Sequence, residues 1–129
     1  MDTRILGVID FIHNADKRGY FAKYLHIIRQ THYVTKTKLD LFKGWNTTWG
    51  KRLVYLDPGF YNLYPATQAA VLIHEAVHCA QYEEMGAIKF WFKYLKAHFV
   101  KGYNNDPFEV EAIIIEHQWA KFINHSGNA

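Results

Sequence analysis

The sequence predicts an α+β domain in which a small β-sheet packs on helices, and three observations carry that reading. Apolar residues recur at helical spacing near the N-terminus and again through the second half, and two short β-branched segments lie between. Half of the 129 residues are apolar. With 9 Phe, 9 Tyr and 4 Trp, the chain can bury a sizeable core, which argues against a disordered tail protein. Its length fits one domain, residues 1–129, and leaves little room for a second.

Residues 3–13 and 20–29 carry helical periodicity, first through Ile5, Val8, Ile9 and Ile12, then through Tyr20, Tyr24, Ile27 and Ile28. The break between them, HNADKRG, holds Asn14, Asp16 and Gly19, residue types that cap helices or make turns. THYVTKTKL and KRLVYLD read as short strands, the second ending in Asp57-Pro58-Gly59, and WNTTWG between them reads as a polar turn with aromatic shoulders. Pro65 suits a first helical turn, and ATQAAVLIHEAVHCAQYEEM then runs without a breaker to Gly86. A further helix is expected over about 87–100, stopping at Gly102. A last one begins near Asp106-Pro107 and continues through FEVEAIIIEHQWAKFI. Three helices therefore close the C-terminal half.

The net charge of +3, from 15 basic and 12 acidic residues, is too mild to call for a nucleic-acid or membrane partner. Cys79 is the single cysteine, so no intrachain disulfide forms. No apolar stretch approaches the roughly 20 residues that span a bilayer. The first apolar run is bracketed by Asp2 and Asp10 and lacks a cleavage site. The expectation is a soluble cytoplasmic protein without a transmembrane segment; the sequence is silent on oligomeric state.

The chemistry lies in LIHEAVHCAQY, residues 72–82. Three titratable groups stand side by side in a helix apolar on all sides, which is costly unless something binds them. His74 and His78 are four apart, so on a helix they share a face one turn above the other, where two imidazoles can chelate one metal. Glu75 then reaches a water at that metal without being a ligand. This is the mechanical content of H-E-x-x-H: two Zn²⁺ ligands and a general base. The metal lowers the pKa of the water and polarises a substrate carbonyl while Glu75 takes the proton.

A third protein ligand is required. Gln81 and Glu84 stand where the longer motif H-E-x-x-H-x-x-G-x-x-H has its glycine and last histidine, so the ligand must be a carboxylate from a later helix. NNDPFEVEA offers Glu109 and Glu111. Only one of them can reach the metal, because residues two apart point about 200° apart on a helix.

Here the sequence resembles the gluzincin-type metallopeptidases, in which a glutamate on a helix downstream of H-E-x-x-H completes the zinc site. In several of these families that helix reads E-x-x-A, as Glu109-Val110-Glu111-Ala112 does. The combined pattern H-E-x-x-H-x-x-Q, a glycine, an aromatic helix and Pro-Phe-Glu-x-Glu-Ala is similar to small bacterial and phage proteins with a minimal gluzincin core. The resemblance covers about residues 50–120 and implies a zincin-like fold with an active-site helix and a C-terminal glutamate helix. It also implies a peptide or protein substrate. It favours Glu109 as ligand with Ala112 letting the helices approach, although Glu109 would serve as a capping-box residue if Asp106 is the N-cap, freeing Glu111.

One departure stands out. The Asp that usually follows the ligand by four and orients a zinc-bound histidine is Ile113 here, or Ile115 if Glu111 binds. Glu116 and Asp57 are the candidates to replace it. Gln81, three residues after His78, is placed to hydrogen-bond within the site. Donors for a transition-state oxyanion are sought among Tyr103, His98, Tyr94 and His117. RLVYL, just before the active-site helix, is a candidate to pair with an extended peptide unless it proves to be a central strand. Lys89, Lys93 and Lys96 read as a solvated face above packed Phe90, Trp91, Phe92, Tyr94 and Phe99 rather than as a nucleic-acid or membrane face. Cys79 diverges from His78 by about 100° and reads as a small buried hydrophobe.

Overall fold

The computed structural model describes residues 2–35, 47–50, 52–86 and 107–127, together with positions 89, 92, 93 and 96. Helix α1 (Thr3–Ala15) starts at Asp2, whose carboxylate accepts the Arg4 backbone N–H at 2.8 Å. Its apolar stripe of Ile5, Val8, Ile9 and Ile12 is buried, as the spacing predicts. The Asp16 carboxylate then accepts the backbone N–H groups of Tyr20 and Phe21, at 3.0 and 2.7 Å. It thereby secures the turn that leads into α2 (Ala22–Gln30).

Three short strands follow: β1 (His32–Thr35), β2 (Thr47–Gly50) and β3 (Leu53–Leu56). They form one sheet in the order β1-β3-β2, with β3 parallel to β1 and antiparallel to β2. WNTTWG is thus not merely a turn, because Thr47–Gly50 pairs with β3, with an irregularity between Thr48 and Gly50. Polar, Thr-rich composition suits an edge strand as well as a loop, and pairing decides between them. β3 is the central strand, flanked on both sides, so RLVYL cannot receive an extended peptide. Val54 and Leu56 of that strand are fully buried.

Asp57-Pro58-Gly59 opens a 3-10 turn (Pro58–Asn62). The Asp57 carboxylate accepts the Gly59 N–H at 2.9 Å, and a Cβ at Gly59 would sit 2.9 Å from that same oxygen. A side chain there would have to push the Asp57 carboxylate away from the N–H it caps.

Helix α3 (Pro65–Met85) is the axis of the fold. Leu72, Ile73 and every residue from Glu75 to Tyr82 are buried, so this helix is covered all round by its neighbours. Gly86 stops it with φ 80°, a left-handed value that suits glycine. α1, α2, β2 and α4 (Pro107–Gly127) pack against it. A single apolar cluster runs from Ile5 and Ile12 through Phe21, Ile28, Leu56, Phe60 and Leu72 to Trp119. The architecture is α+β, with four α-helices and one mixed sheet among the described residues. Most of the helix expected over 87–100, and Asp106, lie outside the described residues.

Candidate metal centre

The four-residue spacing sets His74 and His78 on one face of α3, with ring centroids 5.1 Å apart and planes inclined by 73°. That face meets α4. On α4, Glu109, Ala112, Glu116 and Trp119 fall at helical spacing, with Glu109, Ala112 and Trp119 buried. The small Ala112 lets the helices come close, while Trp119 docks the far end of the contact, its Nε1–H donating to the Ala66 carbonyl at 3.1 Å.

Glu109 therefore enters between the two imidazoles. Its Oε2 lies 3.2 Å from His74 Nε2 and its Oε1 lies 3.0 Å from His78 Nε2. The other ring nitrogens also have neighbours. His74 Nδ1 is 3.3 Å from Glu116 Oε1. His78 Nδ1 is 2.8 Å from Gln81 Oε1, and Gln81 Nε2 donates to the Phe108 carbonyl at 3.1 Å.

This is an unusual concentration of charge in a dry place. Burial by itself depresses the pKa of an imidazole. Here the hydrogen bond to Glu109 and the close approach of the Glu116 carboxylate, with the charge of nearby Glu75, outweigh that burial and raise His74 to about 10. His78 is raised for the same reason, burial being overcome by Glu109 and Glu75. Glu109, despite burial that works the other way, is held well below the usual carboxylate range by the two histidines. Each side of the cluster thus favours its charged form because the other is there.

Two ring nitrogens are left badly placed, and the first is His74 Nδ1, buried without a hydrogen bond although Glu116 Oε1 is 3.3 Å away. His78 Nε2 is buried and makes no hydrogen bond, although Glu109 Oε1 is only 3.0 Å away. The separation suits a proton bridge but the angle does not, and a buried polar atom without a partner needs an explanation. His74, His78 and Glu109 each offer one ligand atom, and those atoms lie within 4.8 Å of one another. A divalent ion would satisfy all three. This is the one such group among the described residues.

The remaining expected residues fall as follows. Glu111 is exposed on the other side of α4, so of the two glutamates Glu109 is the one brought to the histidines. Glu75 is 5% exposed. Burial first, then the Glu75 charge, pushes the Cys79 thiol up to about 12, which leaves Cys79 a neutral hydrophobe. Glu116 stands beside His74, seven residues beyond Glu109 rather than four, and Asp57 is used as the cap described above. His117 is exposed. Tyr94, His98 and Tyr103 lie outside the described residues. Lys89, Lys93 and Lys96 are exposed as expected, but Phe92 is exposed with them, at 72%, and is not packed beneath. Sequence reasoning missed the Phe108 carbonyl, since a backbone group carries no signature of its own.

No protein-family model, curated protein or solved structure matches this chain.

Proposed function

We propose that the protein is a zinc-dependent hydrolase of the gluzincin kind with a zincin-like fold, acting on peptide bonds. The observation that carries this reading is the convergence of two Nε2 atoms from one helix on both oxygens of a carboxylate from another. Ligands about 2.0–2.1 Å from a tetrahedral zinc ion lie roughly 3.3 Å from one another. The nitrogen–oxygen separations of 3.0 and 3.2 Å, each to a different oxygen of Glu109, are of that order, and one ligand atom from each residue lies within 4.8 Å of the others. Two imidazoles and one carboxylate also form the donor set of catalytic zinc sites that keep a fourth position for water.

His74, His78 and Glu109 would hold the ion, which when bound supplies an acidified water and a Lewis acid for the substrate carbonyl. The Glu75 carboxylate accepts the proton of the attacking water and delivers it to the departing amine nitrogen. The Glu116 carboxylate keeps His74 turned so that Nε2 faces inward. Burial of His78, Glu75 and Glu109 excludes bulk water and strengthens these interactions.

That same burial supports a second reading, a metal-stabilised module without turnover, because Glu75 at 5% exposure leaves substrate little access to the base. Metal analysis of wild type beside Glu75→Gln separates the two. Stoichiometric zinc in both, with peptide cleavage that falls about 10²–10⁴-fold in the variant, is the result expected of an enzyme. Zinc in both without cleavage of a broad peptide library by either would establish the module. Wild type that binds no zinc would overturn both.

A further inference from the structure

We infer that Gln81 is a positioning residue. It holds His78 with its proton on Nδ1 and Nε2 aimed at Glu109, and it ties that orientation to the backbone from which Glu109 projects. The argument begins at Phe108, whose carbonyl oxygen can only accept. The Gln81 atom 3.1 Å from it must therefore be the amide nitrogen. The Gln81 oxygen is then the atom 2.8 Å from His78 Nδ1. An amide oxygen cannot donate, so Nδ1 carries the hydrogen. While His78 is charged, Nε2 carries the second hydrogen; once that proton leaves, the lone pair falls on Nε2, the buried atom 3.0 Å from Glu109 Oε1. Gln81 itself is 4% exposed, so water does not replace either of its bonds.

The partner chosen for each histidine has a physical consequence. His74 Nδ1 lies 3.3 Å from a carboxylate, Glu116, which can accept but has no N–H to pass onward. His78 Nδ1 faces an amide, which accepts from the ring and donates onward to α4. Phe108 is the residue before Glu109, so one side chain sets both the rotation of one ligand and the position of the next. Glutamate at position 81 would keep the acceptor and lose the donor. Leucine would lose both.

The inference concerns the metal centre proposed above and rests on that reading for its effect on zinc, but the hydrogen bond can be tested without metal. In ¹⁵N-histidine-labelled, metal-free protein, His78 should show an Nδ1-bound proton protected from exchange. Gln81→Leu should remove that protection with the helical circular dichroism unchanged, and Gln81→Glu should retain it. In zinc competition with a chelator, Gln81→Leu should weaken binding about 10–100-fold, the usual effect of losing a histidine's outer partner. Gln81→Glu should fall between Leu and wild type. A purely structural tie would lower the melting temperature in both variants and leave the Nδ1 signal in place. An unprotected or absent Nδ1 proton in wild type overturns the inference. So does a Gln81→Leu variant that keeps the protected signal. Wild type with the protected proton but no zinc binding would instead sink the metal reading and leave the clamp standing.

Discussion

The two ends of the contact between α3 and α4 are held by opposite means. At one end Trp119 is fully buried, with Phe11, Phe21 and Phe122 around it at ring separations of 5.3–6.4 Å. Its one polar atom is satisfied by the Ala66 carbonyl. That end is complete as it stands. At the other end the same two helices bring together two imidazoles and a carboxylate, and two buried ring nitrogens have no hydrogen bond. The apolar end supplies the stability that lets the polar end remain unfinished. A functional site carries local conflict, and the surrounding core must outweigh it.

Three experiments press on this contrast. The largest effect should come from Glu109→Ala, which removes the residue touching both histidines and should abolish stoichiometric zinc measured by plasma emission. Glu111→Ala, on the exposed side, should leave zinc at the wild-type level. Equal loss in both variants would mean that α4 is turned differently from the arrangement described.

Next, Trp119→Ala should destabilise the metal-free protein by about 3–5 kcal/mol in urea unfolding, the range for a large aromatic removed from a core. Glu109→Ala should change metal-free stability less than this near pH 7 and above, since the two buried imidazoles can shed their protons once the carboxylate is gone, which limits the cost of the uncompensated charge. The reverse order would show that the polar end, not the aromatic one, holds the helices together.

The mildest effect is that of pH. His74 is raised from 6.5 to about 10, so its contribution to metal-free stability is full below pH 6.5 and fades as pH climbs toward 10. Glu109 is lowered from 4.5, so its contribution is full above that value and fades as pH falls toward its depressed one. The metal-free protein should therefore be most stable between about pH 4.5 and 6.5 as far as this cluster is concerned. If zinc binds there as proposed, it has to displace those protons. The rise in melting temperature on adding zinc should thus grow from pH 6.5 upward. A zinc effect that is flat over this range would show that no histidine proton is released.

The helices were legible because their apolar spacing is strong. Ile5, Val8, Ile9 and Ile12 mark one buried stripe, and the breaker-free run from Pro65 to Gly86 marks α3. The strands were harder. Thr47–Gly50 is a strand because β3 lies beside it, and nothing in WNTTWG contains that neighbour. The same limit hid β3's central place, which depends on β1 pairing with it across an intervening stretch of chain. In the candidate site, the pair His74 and His78 was readable from the helical repeat alone. The contact of Glu116 with His74 was readable only as one of two candidates, because it requires the facing helix.

What the sequence settles by itself is whatever follows from covalent spacing and local propensity. His74 and His78 must share a face of α3, Cys79 must diverge from it, and Asp57-Pro58-Gly59 must bend the chain. What only the tertiary structure decides is which group from elsewhere meets that face. Glu109 and Glu111 are equivalent in composition and nearly so in position, yet one is buried between the imidazoles and the other faces solvent. The rotation of α4 about its own axis makes that choice, and the rotation is set by the docking of Ala112 and Trp119 on α3, a contact between residues far apart in the chain.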